Sequence, residues 1–424
     1  MFRKFLFDCA LLGVVVVGSG LFAGCAQEDV GTPPPADAFH YPVSVALFPA
    51  QGGAAQTLYV ASSNFDLLYN RGSVLAIDLS ALDLDATNDE QPLSSLIDPS
   101  VGRVTIDSFA GMMLLHEGNR LFVPTRSGHR LFAIDANGPI LGCARAGDSG
   151  ADAQDCVGVA LSRGSTEATD PFAIAAHDGA IYVTHGTRPE SGQTAGNSML
   201  AKLDPDTLGD LSFIDIGPAP SEGIIDTPRG LYFTGRAILN ASEALRSLVG
   251  GQVFDAGVTL ATGVQEGRGL GLSSDGERLY MLTRGTRSSS NAPAIGPDGL
   301  LTIDISVDPI SGLARNQVLS FVELPEGASQ MAVLPRPGKR DLLAVSCTDS
   351  GLVILYDGEL GVPTGAIPVE TPYGIAWTAL DGVGARLFVA SFKAHSVEII
   401  DLPDLEQPQL WQRRRSLNGV TSAE

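Results

Sequence analysis

Positive charge is scarce in this chain: Lys and Arg number 27 against 48 Asp and Glu, a formal net charge of -21. A surface that negative repels nucleic acid and anionic headgroups and attracts cations, which argues against a nucleic-acid partner. The one dense basic cluster, "WQRRR" at Trp411–Arg415, is short and reads as a solvated edge. Amphipathic helical stripes are nearly absent, so a helical bundle or an alternating α/β fold is not expected. No Gly-rich phosphate cradle, zinc-type Cys/His spacing or quinone- or haem-attachment motif occurs, and the spacing in "CARAGDSGADAQDC" is wrong for haem. The tetrapeptide "GDSG", Gly147–Gly150, has the letters of a serine-protease nucleophile loop without His and Asp partners in context. It reads as coincidence.

What is present is apolar and turn-rich: 424 residues, 44% hydrophobic, with 49 Gly and 26 Pro. That suits two or three domains or one large repeat fold, and rules out a disordered chain. Arg3 and Lys4 precede the apolar stretch "ALLGVVVVGSGLFAGC", which ends at Cys25, the pattern of a targeting segment. Its end, "LFAGC", resembles a bacterial lipobox. The resemblance implies a signal peptide over 1–24, diacylglycerol on Cys25, a lipidated Cys and Pro-rich tether over 25–39, and, with Ala26 next, the outer membrane of a Gram-negative cell envelope. Ordinary secretory cleavage at "FAG" is the alternative. In such an oxidising compartment Cys143 and Cys156, at the ends of a polar loop, are expected to pair, with two free thiols as the alternative. Cys347, in "LLAVSC", reads as a buried inert thiol.

Three signals recur in fixed order along the chain: a short segment opening with an acid, a turn followed by an apolar "LYV"-type run, and an apolar run ending in Asp. The last copy reads "ETPYGIAW", "LDGVGARLFVAS", "HSVEIIDL", and an earlier one "DSFAGMML", "EGNRLFVPT", "HRLFAIDA". Seven such units fit between His40 and Leu405, roughly 52 residues each, a period that belongs to blades or solenoid turns. The runs are four to seven residues long and bounded by Gly, Pro, Asn or Asp, the signature of strands. The fold expected is all-β: a β-propeller of seven blades with about four antiparallel strands each, over 40–405. The tail 406–424, or the N-terminal arm, has to supply the last blade's fourth strand. Unit four is the irregular one. It is taken to open with "DTPRGLYF" (226–233), and its middle, "RAILNASEALRSLV", lacks an LYV run and leaves room for a helical turn; six or eight blades stay open on that account.

"LYVASSN", "IYVTHGT" and "LFVASFK" carry a resemblance to the YVTN-type seven-bladed propeller repeat, whose superfamily includes lactonase-like members. The motif is a packing motif and implies fold far more than activity. Placed on a propeller frame, the opening acids Asp107, Asp170, Asp226, Glu266, Glu326 and Glu370, with His40 in the seventh place, ring one mouth of the axial channel. Loops of the same face hold His129, His185 and His395, with Arg126, Arg236, Arg284, Arg287 and Lys393. Such a funnel suits calcium or another divalent cation, or a positively charged ligand; alternatively each acid caps its own turn. "DLDATNDE", Asp83–Glu90, lacks the Gly and final Glu of an EF-hand and reads as a solvated loop. The expected function is a lipid-anchored envelope module, membrane-bound through Cys25, that binds an envelope protein, a glycan or a cation. The rival is a metal-dependent lactonase-like hydrolase or lyase using the same funnel, with a histidine as base.

Overall fold

The computed structural model describes residues 31–49, 54–145, 154–161, 169–186, 197–235, 244–259, 265–285, 296–380 and 382–419. The signal segment, Cys25, Arg236 and Arg287 lie outside them. The apolar runs form strands grouped into seven sheets, each a run of four consecutive antiparallel strands paired in sequence order. The second blade adds a fifth, Val159–Ala160, against its third strand. The seven innermost strands are Pro42–Phe48, Leu114–His116, Pro171–His177, Ile224–Thr227, Gln265–Leu272, Ala328–Leu334 and Pro372–Ala379. This is a seven-bladed β-propeller. Below, the front face carries the segments leading into these inner strands and the loops joining second to third strands. The rear face carries the other turns.

The two-residue period of a strand explains how the blades hold together. In the second blade Leu121 and Val123 point to the first blade while Phe122 points to the third. Repeating that division around the molecule gives seven buried apolar clusters, one per seam between blades. Middle strands such as Thr57–Ser62 and Leu342–Cys347 are buried at every position, because each is covered from both sides. Cys347 sits there, its thiol pushed up to about 12 by burial. Near the axis glycine replaces side chains: a Cβ on Gly111, Gly223, Gly269 or Gly374 would collide with the main chain at Phe172, Arg268, Ser329 or Val43 of the next blade.

The seventh blade completes itself. Its fourth strand is Gln412–Asn418, paired to Ser396–Leu402, so among the described residues no strand crosses the seam to the first blade. Two features that read as solvated meet at that seam. Arg415, only 6% exposed, donates to the Asp83 carbonyl at 2.6 Å and the Gln91 side chain at 2.7 Å. Arg414 reaches Asp85 at 2.9 Å, and Asn88 donates to the Ser416 carbonyl at 2.9 Å. "DLDATNDE" and "RRR" are therefore the two halves of a clasp, because a strand edge with no covalent neighbour needs side chains to hold it. A second tie joins blades one and two: Cys143 and Cys156 form a disulfide, and Gln154–Cys156 hydrogen-bonds Thr105 on the outer strand of the first blade.

Blade four corrects one reading. Its inner strand is Ile224–Thr227 and "GLYFT", Gly230–Thr234, is its second strand. "DTPRG" is thus the first turn of the blade, not the segment leading into it. Thr227 closes that turn, accepting from the Arg229 N–H at 3.0 Å and donating to the Gly230 carbonyl at 2.8 Å. Most of "RAILNASEALRSLV" lies outside the described residues, which resume at Ala244, just before the third strand, Leu245–Val249.

Candidate functional site

At the front mouth the acids do not form an open ring. Asp226 lies on the rear face, at the far end of its strand. The leading acid of blade four is Glu222, which the sequence reading passed over. Glu222 and Glu266 both bind the guanidinium of Arg268 on the axis, where all three side chains are almost fully covered. Burial, with Arg284 nearby, pulls that guanidinium down to about 10, so it stays protonated at neutral pH. Asp107 faces Arg130 and Asp170 faces Arg126, each at 3.6 Å. Glu326 and Glu370 are exposed, and their carbonyls accept from the hydroxyls of Ser350 and Ser391. Among the described residues no three His, Cys, Asp or Glu side chains converge as a metal-holding set. The signal that would have found the plug is a Glu-Gly pair at 222–223, 266–267 and 326–327. Glu266 and Arg268, two apart on a strand, share its axial side.

The three histidines serve separate places. His395 accepts the Tyr41 N–H at 3.3 Å and lies with its ring centroid 4.9 Å from that of His40, whose Nε2 is 2.7 Å from Asp66. Burial and the His40 ring hold His395 below the usual imidazole range. His129 accepts the Asp170 N–H at 3.3 Å. His185 is fully buried, and its Nδ1 lies 3.0 Å from the Met199 carbonyl, which can only accept; the proton therefore sits on Nδ1. Burial lowers its pKa from 6.5 to about 4. The neutral ring belongs to the folded chain and the unfolded chain takes up the proton first. This contribution to stability is complete above about pH 6.5 and is lost as pH falls toward about 4, roughly 3 kcal/mol at about 1.4 per unit. His185→Asn, which keeps a donor for Met199, is expected to flatten that part of the stability profile in urea melts taken across pH. An unchanged profile refutes the assignment.

Behind the plug the channel widens. A cavity of about 20 Å³ at Arg268, Gln330 and Tyr373 gives way rearward to one of about 550 Å³ lined by Leu270, Leu272, Met331, Val333, Ile375 and Trp377. Those residues follow one another along the same inner strands, so the two spaces stack on the axis. Asp226 lines the larger one and also a groove of about 840 Å³ on the rear face, between blades four and five. The groove has an apolar wall of Val249, Phe254, Val307 and Leu313, each between 40% and 70% exposed. The Tyr232 hydroxyl, donating to Asn316 at 2.8 Å, pins the blade-five loop that forms its far side. At the end nearest the axis stand two carboxylates, Asp178 and Asp226, with Arg229, while Asp255 lies at the outer end, on the outermost strand of blade four. His177 lies between the first two, Nδ1 2.7 Å from Asp226 and Nε2 3.3 Å from Asp178. The channel and the groove thus adjoin at one acidic corner.

No family model and no curated protein sequence matches the chain. Solved structures do resemble it in fold. Hydrazine synthase of Kuenenia stuttgartiensis superposes with a TM-score of 0.56 at 12% identity, over 90% of this chain and 98% of that one. Virginiamycin B lyase from Staphylococcus aureus, solved with quinupristin, gives 0.52 at 10% identity, over 85% and 95%. The β-propeller domain of Cps50 (Swd1) from Myceliophthora thermophila gives 0.52 at 11% identity, over 85% and 96%. At these identities the likeness establishes the propeller and leaves activity to the site itself.

Proposed function

We propose that this protein is a binding module of the bacterial cell envelope, held at the outer membrane by lipid on Cys25, whose ligand is a cationic segment of a partner protein bearing an apolar side chain. The rear groove carries the proposal. It sets an exposed aromatic and aliphatic wall beside the carboxylates of Asp178 and Asp226, a pairing that seats an apolar anchor and a Lys or Arg together. A net charge of -21 adds long-range attraction for such a partner. The rival hydrolytic reading has one observation in its favour, the His177–Asp226 pair at 2.7 Å. Yet both ring nitrogens of His177 face carboxylates. A general base needs one nitrogen turned to substrate, so the arrangement fits a clamp on the two carboxylates better than a base.

The test is a titration of the protein with fluorescent peptides alternating Leu and Lys, against matched peptides alternating Leu and Glu. The Leu/Lys peptide is expected to bind, and Asp226→Asn and Phe254→Ala each to weaken it about tenfold, or about 1.4 kcal/mol. Equal binding of the two peptides, or no effect of either substitution, sinks the reading. Calcium added to the same titration asks whether a divalent cation competes for these carboxylates.

A further inference from the structure

The front face carries a feature with no part in that groove. The loop joining the second and third strands of blade one, Ser63–Arg71, ends in an apolar knuckle. Phe65, Leu67 and Leu68 are 49%, 58% and 64% exposed. The knuckle is held from beneath: Asn64 donates to the Tyr69 carbonyl at 2.7 Å and to Ser108 at 2.9 Å, and accepts the Tyr69 N–H at 3.1 Å. The Phe65 ring packs edge-on against Phe109 and Phe392, at 5.7 and 5.4 Å. Three apolar side chains on a braced loop are kept in water at a cost, which a purely structural loop has no reason to carry.

The described chain begins at the same loop. The Asn70 N–H donates to the Thr32 carbonyl at 3.1 Å, and Arg103 holds the Pro34 carbonyl at 2.8 Å. Cys25 lies seven positions before Thr32, a span of at most about 25 Å fully extended. Lys393 and Arg126 stand on the same face beside Phe392 and Phe109, with Asp66 within the knuckle and Asp170 3.6 Å from Arg126. We infer that the Phe65–Leu68 knuckle inserts into the lipid interface beside the anchor, so that the front face lies against the membrane and the rear groove is turned away from it. The apolar tips enter the acyl boundary while the exposed Lys393 meets headgroup phosphates. The inference rests on the envelope placement above and adds an orientation to it.

The test makes docking independent of lipidation. The chain from residue 25, with Cys25→Ala and an N-terminal hexahistidine, is bound to vesicles of phosphatidylethanolamine, phosphatidylglycerol and a nickel-chelating lipid. An environment-sensitive dye is placed at Leu68→Cys on the knuckle or at Leu313→Cys on the rear face. Cys347 is buried and Cys143 and Cys156 are paired, so labelling is selective. The Leu68 probe is expected to shift blue, brighten about twofold or more, and be quenched by brominated acyl chains. The Leu313 probe is expected to stay as in water. Phe65→Ser with Leu67→Ser is expected to abolish the shift. A Leu68 probe that remains aqueous, or two probes that respond alike, overturns the inference. So does a Leu68 shift that appears without vesicles as protein concentration rises, which identifies a second copy as the occupant. Peptide binding to the rear groove, measured on the same vesicles, is expected to be unchanged by the serine pair, so failure of the knuckle and failure of the groove are told apart.

Discussion

A chain ended after Leu410 is expected not to close its ring. That truncation removes the fourth strand of blade seven, Gln412–Asn418, with its ladder to Ser396–Leu402. It also removes Leu417, fully buried in the cluster shared by blades one and seven, and all of the Arg414 and Arg415 half of the clasp. Burial of one Leu is worth about 1.5–3 kcal/mol, and each hydrogen bond to a charged group about 1.5–3. With the lost strand ladder the deficit reaches about 5 kcal/mol or more, comparable with the whole stability of many domains. The readout is the urea midpoint and the dispersion of the amide spectrum. Arg415→Ala separates the clasp from the strand: it leaves the ladder and is expected to cost about 3 kcal/mol, since the Asp83 and Gln91 acceptors lose their donor. A truncated chain that melts like the parent means that the ring closes without this strand.

The second large effect belongs to the axis. In Arg268→Met two carboxylates, Glu222 and Glu266, each with a side chain 11% exposed, face each other without their shared cation. Removing one partner of a buried charged set costs about 3–5 kcal/mol, because the charge left behind is desolvated and unpaired. Two signatures distinguish this from loss of packing. The deficit is expected to shrink as pH falls through the carboxylate range, since protonation removes the opposed charges. Adding Glu222→Gln and Glu266→Gln to Arg268→Met is expected to restore most of the stability at neutral pH. If Arg268→Met alone leaves the melt unchanged, or if its deficit ignores both pH and the added substitutions, the plug is not an electrostatic one.

The seven-fold rhythm was legible because each blade repeats the same packing problem, and apolar runs between turn residues solve it the same way each time. Blade four was misread for a physical reason. "ETPYG" leads into a strand and "DTPRG" leaves one, yet both are turns, and Pro and Gly suit either. Strand periodicity says which side of a strand a residue faces and nothing about which end of it is near the front. One residue string therefore sent Asp226 to the wrong face and hid Glu222. The arginine partners were harder still. Asp107 with Arg130 and Asp170 with Arg126 join blades or loops tens of residues apart, and a run of acids looks the same in sequence whether or not cations cover it. The rear groove left no motif at all, since it is made where the turns of two blades part.

The glycines near the axis described above separate two properties that usually trade against each other. Gly111, Gly223, Gly269 and Gly374 set how closely neighbouring blades approach, and hence the bore of the channel. The chemistry of that bore is set by other positions, Leu270, Met331, Ile375 and Trp377 among them. Diameter and lining are thus independent variables. An engineer, or a lineage under selection, can rewrite what the channel prefers one side chain at a time while the ring that frames it keeps its dimensions.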